Sequence, residues 1–310
     1  MTSNYLPEGY RLHTPENQAA CATEEGLRAA QAAGTILEGV ARLCDEGHNL
    51  EVCVGPFTGI IPREEAALGI AEGSTREIAI LSRVGKPVCF VVEEVGEGPE
   101  GIRPILSRRA AQRRALDHML AQWEPGLIIP AAVTHLESFG AFVDIGCGIC
   151  SMISIENISV SRIPHPGVRF QVGDRIQAVV LDLDPALERI YLTHKELLGT
   201  WAENAAQFRP GMTVPGVVRG VKEYGVFVEL TPNLSGLAER RGDLQEGERV
   251  AVYIKSILPE RMKIKLLAID RLPPALPGPL RYYLTQGKLE KWRYAPPGCV
   301  KVGNETVFGG

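Results

Sequence analysis

The sequence predicts a mainly β protein, built from consecutive small barrels of five strands that are joined by short helices. Two observations support this prediction. The chain of 310 residues contains a repeat of about 85 residues, and within each repeat the hydrophobic residues follow a period of two in short runs bounded by glycine. A chain of this length buries several small cores rather than one.

The repeat is found by comparing the chain with itself. The segment Phe139–Ile145 recurs as Tyr224–Leu230, at an offset of 85 residues. Further on, Arg189–Leu192 recurs as Lys263–Leu266 at an offset of 74 residues. The two units are therefore matched strand by strand, and the earlier one has a longer connection between its third and fourth strands.

Five strands are predicted in the earlier unit, at Ile128–Leu136, Gly140–Ile145, Ile149–Ile155, Arg175–Leu183 and Arg189–Thr193. Five short antiparallel strands with one longer connection are typical of an OB-type barrel, which closes the sheet and removes most of its exposed edges. A fainter third copy lies upstream and ends at Arg103–Ser107. The fold class is thus tandem five-stranded OB-fold barrels joined by short helices.

The predicted domains follow from this repeat and from proline-terminated helical stretches between the units. They are an N-terminal helical segment (1–33), a divergent barrel (34–108), a helical linker (109–124), a second barrel (125–198), a helical linker (199–209), a third barrel (210–270), and a Pro-rich linker with a basic aromatic tail (271–310). The N-terminal helix is predicted at Glu16–Ala33 and the linking helices at Ser107–Trp123 and Lys195–Phe208.

Composition narrows the class of protein. No membrane-spanning run or signal segment is recognised, so we expect no membrane partner and a cytoplasmic location. Seven scattered cysteines favour reduced thiols over a disulfide framework. The net charge of −4 hides a gradient, because residues 1–124 carry −6, residues 125–208 carry −4 and residues 209–310 carry +6. A polyanion would therefore be bound by the C-terminal part.

Strand alternation places aromatic side chains on the outer face of both matched units. Inward-facing Ala141, Val143 and Ile145 leave Phe142 outside with Asp144. In the later unit Phe227 lies outside with Glu229, and Phe139 and Tyr224 each stand three residues before the outward phenylalanine. One such residue is usually a harmless surface residue. Two copies at the same spacing favour stacking platforms for unpaired bases.

The same alternation places basic side chains outside on the last strand of each unit. These outward residues are Arg261, Lys263 and Lys265 in the later unit, and Arg189, Tyr191 and Thr193 in the earlier unit. Arg162, His165 and Arg169, in the long connection, are expected to reach a nucleic-acid backbone. A solvated charged face is the alternative interpretation of each stripe, and the adjacent aromatics favour the nucleic-acid interpretation.

The motif Gly-x-Phe-Val-x-Leu/Ile after an aromatic-Gly pair, followed by Arg-Ile-x-Leu, resembles the RNA-binding domain that is repeated in bacterial ribosomal protein S1. The resemblance implies an OB barrel that binds single-stranded RNA through two second-strand aromatics, a third-strand histidine and an Asp/Arg pair at the fifth strand. Carried over by position, it implies Phe139, Phe142, Asp184 and Arg189 in the second barrel, and Tyr224, Phe227 and Lys263 in the third.

The chain departs from this pattern at several positions. The third-strand histidine corresponds to Ser154 and Glu239, and Pro259 replaces the aspartate of the last unit. In the first copy the outward second-strand residues are Asn49, Glu51 and Cys53, without an aromatic, although Arg103 keeps the fifth-strand position. The first barrel is therefore expected to bind protein rather than RNA.

No catalytic, cofactor or metal site is predicted. Cys147-Gly-Ile-Cys150 has the spacing of a redox or metal half-site, but no second pair of ligands completes it. It falls where the barrel needs a turn between its second and third strands. No phosphate-cradling glycine loop, nucleophile elbow or HExxH helix is present.

The sequence therefore predicts a non-catalytic protein of the translation apparatus that binds single-stranded RNA, such as mRNA, with the small ribosomal subunit as an expected partner. The alternative is a protein-interaction module that docks on the ribosome or on an RNA-processing complex. A third class is a redox-responsive subunit that uses Cys147 and Cys150. The basic aromatic tail either extends the RNA surface or folds back over the barrels.

Overall fold

The computed structural model describes residues 5–98, 101–240, 243–275, 278–299 and 304–309. Residues 1–4 of the predicted N-terminal segment, and residues 276–277, 300–303 and 310 of the predicted tail, lie outside this range. The chain forms two compact units. The first comprises residues 1–123, 130–132 and 143–151, and the second comprises residues 124–129, 133–142 and 152–310.

The N-terminal segment forms two helices, α1 (Pro15–Cys21) and α2 (Glu24–Ala33), where the sequence predicted one. The break occurs because Thr23 adopts an extended conformation and its side chain accepts a hydrogen bond from Gly26 N, which starts a new helix. Helix α2 ends at Gly34, which has a φ of 61° and takes the left-handed conformation that terminates helices.

The first barrel has five strands and one short helix in its third connection. These elements are β1 (Leu37–Cys44), β2 (Leu50–Val54), β3 (Phe57–Ile61), α3 (Ile78–Leu81), β4 (Pro87–Gly98) and β5 (Gly101–Ser107). The strands close in the order β1-β2-β3-β5-β4. The core of this barrel contains fully buried Leu50, Val52, Phe90 and Leu106. The faint upstream copy is thus a complete barrel.

Helix α4 (Arg108–Gln122) follows this barrel and agrees with the predicted linking helix. Ser107 caps its N-terminus by accepting a hydrogen bond from Ala110 N at 2.8 Å. Buried residues recur every three or four positions, which defines one packed face. They are Arg108, Ala111, Gln112, Ala115, Leu116 and Met119.

The middle barrel consists of β6 (Ile128–Glu137), β7 (Gly140–Asp144), β8 (Cys150–Ser154), β9 (Arg175–Asp184) and β10 (Arg189–Thr193). It closes with the same strand order as the first barrel. After it, the predicted helix Lys195–Phe208 is replaced by a 3-10 turn at Lys195–Leu198 and the short helix α5 (Trp201–Ala205). Gly199, with a φ of 83°, separates the two because a helix cannot continue through that conformation.

The last barrel consists of β11 (Thr213–Lys222), β12 (Gly225–Thr231), β13 (Leu234–Ala238), β14 (Arg249–Leu258) and β15 (Lys263–Leu272). Its strand order is again first-second-third-fifth-fourth. The predicted fold class of tandem five-stranded OB-type barrels is therefore confirmed. Two further strands, β16 (Lys291–Arg293) and β17 (Glu305–Val307), pair with each other in the tail.

A single hydrophobic core extends through most of the second unit. Ile128 and Val179 of the middle barrel belong to the same buried cluster as Val218 of the last barrel, together with Trp201 of α5 and Trp292 of β16. The last barrel, the tail and part of the middle barrel are therefore one packing unit, because each fills part of a shared interior.

Candidate nucleic-acid interface

Two aromatic pairs occupy equivalent positions in the middle and last barrels. Phe139 precedes β7 and Phe142 lies within it, with ring centroids 6.0 Å apart and an interplanar angle of 87°. Tyr224 and Phe227 repeat this arrangement at 6.1 Å and 90°. Phe139 is 54% exposed and Tyr224 is 69% exposed, while both phenylalanines within the strands are half-buried. The outward aromatics that the alternation predicts are thus present in duplicate.

A glycine at the start of each strand explains the aromatic-Gly motif. A Cβ atom on Gly140 would lie 2.6 Å from the carbonyl oxygen of Ile153, and one on Gly225 would lie 2.6 Å from that of Ala238. Such contacts are too short for any side chain. The glycine therefore lets the second strand approach the third closely, immediately beside the exposed aromatic.

Strand register extends the aromatic position into a row across three strands. In the last barrel Phe227 is opposite Leu237, and Leu237 is opposite Lys265. In the middle barrel Tyr191 is opposite Met152, and Phe142 precedes Met152 by the same ten residues that separate Phe227 from Leu237. Because cross-strand neighbours share a face, the middle row is Phe142, Met152 and Tyr191.

The sequence did not single out Met152, the middle member of this row, and it predicted Tyr191 only as an outward residue of the fifth strand. Met152 is 36% exposed and Tyr191 is 40% exposed, so both belong to the surface that contains the aromatic pair. The signal was the alternation of strands β8 and β10, but only strand pairing shows that these residues lie beside Phe142.

The cations of the fifth strand differ in how they are placed. Lys265 and Arg189 are exposed and Lys263 is half-buried, and none of the three has an ion-pair partner in the described part of the chain. Arg261 is also exposed, but it lies in the 3-10 turn Pro259–Arg261 that precedes β15. The prediction that Arg261 belongs to the strand stripe is therefore wrong.

The structure corrects the predicted direction of Thr193 and shows what Asp184 contacts. Thr193 was expected to face outward, but it is fully buried and its hydroxyl donates to Glu196 at 2.7 Å, because the chain turns there into the 3-10 segment. Asp184 is paired in register with Arg189, and its carboxylate accepts a hydrogen bond from Leu187 N at 3.0 Å. Asp184 thus stabilises the turn between β9 and β10.

The long connection of the middle barrel contributes two exposed residues rather than three. Arg162 and His165 are exposed, and the His165 ring accepts a hydrogen bond from Gly167 N at 3.0 Å. Arg169 is only 4% exposed because it donates to Glu229 at 2.6 Å. Arg169 is therefore not part of the exposed surface of this connection.

Asp144 and Glu229, which the alternation placed on the outer face beside Phe142 and Phe227, are both buried. Glu229 lies between Arg169 and Arg219 and accepts hydrogen bonds from both. Asp144, at the equivalent position, accepts hydrogen bonds from the backbone N–H groups of Glu8 at 2.7 Å and Gly146 at 2.8 Å. Alternation assigned their direction away from the barrel interior, but tertiary contacts cover them.

Asp144 belongs to a buried charged cluster in the first unit. Glu8 accepts hydrogen bonds from Arg108 at 2.6 Å and from the Cys89 backbone at 3.1 Å. Although burial alone raises the pKa of the Glu8 carboxyl, the guanidinium groups of Arg108 and Arg83 hold it below its usual range. Burial, reinforced by the Glu8 carboxylate, raises the pKa of Asp144 to about 7.

The histidine positions of the family are occupied differently. Ser154 ends β8 and is half-buried. Glu239 is exposed and pairs with Lys255 at 2.6 Å, and Pro259 starts the 3-10 turn before β15. Neither serine nor glutamate offers an imidazole ring, so in these two barrels the aromatic side chains at the positions implied by the resemblance are the two pairs Phe139 with Phe142 and Tyr224 with Phe227.

The first barrel presents a different row. Glu51 is opposite Ile60, and Ile60 is opposite Ile105, which correspond to Phe227, Leu237 and Lys265. Glu51 pairs with Arg42 at 2.9 Å and with Arg103 at 3.7 Å. Arg103, the cation on the fifth strand of this barrel, is thus held by a carboxylate. No aromatic side chain lies at the second-strand position, which Glu51 occupies.

The two cysteines of the CxxC motif do not face each other. Cys147 is buried in the turn between β7 and β8, with a φ of 51°, and its backbone N–H donates to Leu6 at 2.8 Å. Its thiol contacts that of Cys89, whereas Cys150 starts β8 and is exposed. Within the described ranges no three metal-ligating side chains of the His, Cys, Asp or Glu types are clustered.

The tail folds back onto the second unit. Trp292, Tyr294 and Phe308 are buried in its core. Two of its cations are paired with carboxylates, Lys288 with Glu124 and Lys291 with Glu305. Of the two alternatives for the tail, the structure therefore favours the one in which it covers the barrels.

Among the described helices none is long and apolar enough to span a membrane.

Comparisons with known proteins agree with this geometry. Residues 123–195 match the model of the S1 RNA binding domain. Small ribosomal subunit protein bS1 of Leuconostoc lactis is 32% identical over 193 residues, which cover 56% of this chain and 45% of that protein. The bS1 homolog of Bacillus subtilis is 30% identical over 209 residues, covering 62% and 54%. The chain spans about half the length of these curated relatives.

Similar solved structures include a multidomain protein with nucleic acid binding domains from Streptococcus pneumoniae, which is 15% identical and covers 78% of this chain and 75% of its own, with a TM-score of 0.25. An uncharacterized protein from Methanocaldococcus jannaschii is 28% identical over 20% of this chain and 93% of its own, with a TM-score of 0.19.

The resemblance predicted from the aromatic-Gly motif is thus confirmed, since the matched domain spans the middle barrel and its aromatic pair. Residues 123–195 are therefore similar to the S1 RNA binding domain, and the chain is similar to small ribosomal subunit protein bS1 over more than half of its own length.

Proposed function

We propose that this chain is a non-catalytic, cytoplasmic protein of the translation apparatus that binds single-stranded RNA, with mRNA and the small ribosomal subunit as its partners. The observation that carries the proposal is the duplicated aromatic pair. Phe139 with Phe142, and Tyr224 with Phe227, present the same exposed edge-to-face geometry on two barrels. Aromatic rings on an OB sheet stack on unpaired bases, at about 1–3 kcal/mol per base.

Within this surface we assign base stacking to the aromatic rings and phosphate binding to the cations. Phe142 and Phe227 lie in the strand and offer one ring face to a base, while Phe139 and Tyr224 are more exposed at the strand start. Lys263, Lys265 and Arg189 supply cations for phosphates, and Arg162 and His165 lie on the long connection. Because two barrels bind one flexible strand, their modest affinities combine by effective concentration.

A second function, protein docking, is favoured for the first barrel. Glu51 takes the place of the outward phenylalanine, and its ion pairs with Arg42 and Arg103 occupy the cations that phosphates would need. A carboxylate at this position repels a phosphodiester backbone. We infer that the first barrel recognises a protein surface and that RNA binding belongs to the second unit.

The test is a fluorescence anisotropy titration of the full chain with an unstructured pyrimidine-rich RNA of about 15 nucleotides. Tyr224→Ala is expected to weaken binding by about 1–3 kcal/mol, since an exposed stacking ring is lost. Tyr253→Ala is the matched control, because Tyr253 is an exposed tyrosine of the same barrel on β14, away from the aromatic pair. Absence of binding by the unmodified chain in low salt contradicts the proposal, as does equal weakening by both variants.

A further inference from the structure

A cleft of about 510 Å³ in the second unit has four arginines among its described lining residues. Arg169 comes from the connection between β8 and β9, Arg219 from β11, Arg249 from β14 and Arg281 from the tail. The one carboxylate among the described lining residues is that of Glu229. Four guanidinium groups therefore share a single formal negative charge.

Two of these arginines are buried around that carboxylate. Arg169 and Arg219 donate to the same Oε2 atom of Glu229, at 2.6 and 2.9 Å, and their side chains are 4% and 13% exposed. The Nε of Arg169 is buried without a hydrogen-bond partner. Burial lowers the pKa of Arg169; Glu229 opposes this shift and Arg219 adds to it. The buried group thus keeps an uncompensated positive charge, which is unfavourable unless an anion is nearby.

The other two arginines bind neutral acceptors. Arg249 donates to the carbonyl oxygen of Pro273 at 2.7 Å, and Arg281 donates to the side-chain oxygen of Gln207 at 3.2 Å. Neither is paired with a carboxylate in the described part of the chain. Their charges therefore add to that of the buried group, and the wall of the cleft is strongly positive.

We propose that this cleft binds a phosphate group. Guanidinium forks match the geometry of phosphate oxygens and bind them through paired, charge-assisted hydrogen bonds. The volume lies within the range of small-ligand sites. The phosphate has two possible sources, a free phosphate ester such as a mononucleotide or the terminal phosphate of an RNA. The site is separate from the proposed base-stacking surface, since Tyr224 and Phe227 are not among its lining residues.

Isothermal titration of the full chain with pyrophosphate, in a phosphate-free buffer of low ionic strength, tests the site. Saturable binding is expected, and Arg219→Gln and Arg281→Gln should each weaken it at least about tenfold. Arg281 is exposed, so this variant keeps the test informative if Arg219→Gln does not fold. The control is Arg271→Gln, which removes the same charge from an exposed position of the same barrel, where Arg271 pairs with Asp243 and Glu248.

Absence of saturable binding, or equal weakening by Arg271→Gln, overturns the proposal. Titrations with AMP against adenosine, and with 5′-phosphorylated against 5′-hydroxyl RNA, distinguish the two sources. A preference for AMP that Arg281→Gln abolishes indicates a free phosphate ester, and a preference for the 5′-phosphorylated RNA indicates a chain terminus. Binding of the 5′-hydroxyl RNA is expected to persist in both variants, so failure of this site is distinguishable from failure of the stacking surface.

Discussion

The middle and last barrels present the same aromatic pair but end the row beside it differently. In the middle barrel the row runs from Phe142 to Tyr191, and in the last barrel it runs from Phe227 to Lys265. One row ends in a second aromatic ring and the other in a cation. We infer that the middle barrel holds RNA mainly by stacking, whereas the last barrel adds an ionic contact.

A second difference lies beneath these rows, at Asp144 and Glu229. Both carboxylates point away from a barrel interior and both are buried, but Glu229 is compensated by two arginines, whereas Asp144 is held mainly by backbone N–H groups. The same repeat position thus carries an ion cluster with two arginines in one barrel and a carboxyl held by backbone N–H groups in the other. Four predictions test these differences.

The largest expected effect is on stability. Glu229→Gln leaves Arg169 and Arg219 buried beside each other without a counter-charge, and should cost about 3–5 kcal/mol of unfolding free energy. Asp144→Asn is the matched control at the equivalent position, and should cost less than half as much because Asp144 is hydrogen-bonded by backbone N–H groups rather than by an arginine side chain. Urea unfolding of both variants at neutral pH measures the difference. Equal losses would show that the two positions are energetically equivalent.

The second prediction compares the RNA affinity that each of the two proposed surfaces contributes. Phe227→Ala should weaken RNA binding by about 1–3 kcal/mol, and Phe142→Ala by less, because the last barrel lies in the basic part of the chain. Both variants are made in the full chain, since the middle and last barrels share a core and neither can be cut out cleanly. Anisotropy titrations compare them, and a larger loss for Phe142→Ala would reverse the assignment.

The two units should respond to pH in opposite directions. Burial raises the pKa of Asp144 and of Glu38 to about 7 in the first unit, so both carboxyls bind protons more tightly when folded. The first unit should therefore lose stability as the pH rises from about 4 to 7. Burial lowers the pKa of His194 to about 4 in the second unit, so that unit should lose stability as the pH falls from about 6.5 to 4.

Hydrogen exchange measured by mass spectrometry reports the two units separately and checks this prediction. Asp144→Asn should flatten the pH dependence of protection in the first unit and leave that of the second unit unchanged. Parallel pH profiles in the two units would contradict the assignment of these groups.

The smallest effect concerns salt. Lys265→Gln should reduce the slope of log K against log salt by about 0.7, as expected when one phosphate contact to a single strand is lost. Tyr191→Ala, at the equivalent end of the middle row, should lower affinity without changing the slope, because stacking displaces no counterions. If both variants change the slope equally, the inference that Lys265 makes an ionic contact and Tyr191 a stacking contact is contradicted.

Much of the fold follows from local pattern. The period-two alternation and the repeat predicted the strands of the middle barrel to within about two residues at each end, because alternation reports which side of a strand is covered. The aromatic pair was also visible in the sequence, since it breaks the alternation twice at the same spacing. The sequence did not predict the helix breaks at Thr23 and Gly199. Each break depends on one residue, a capping threonine or a glycine with a positive φ, whereas the surrounding residues favour a continuous helix.

What alternation assigns is the direction of a side chain, not what covers it. The sequence by itself therefore determined that Phe142, Asp144, Phe227 and Glu229 point away from the barrel interiors. Only the tertiary structure decided that the phenylalanines remain accessible while both carboxylates are buried, because their partners come from distant parts of the chain, such as Glu8 and Arg169. Local patterns carry no information about such long-range contacts, which form only when separate elements pack together.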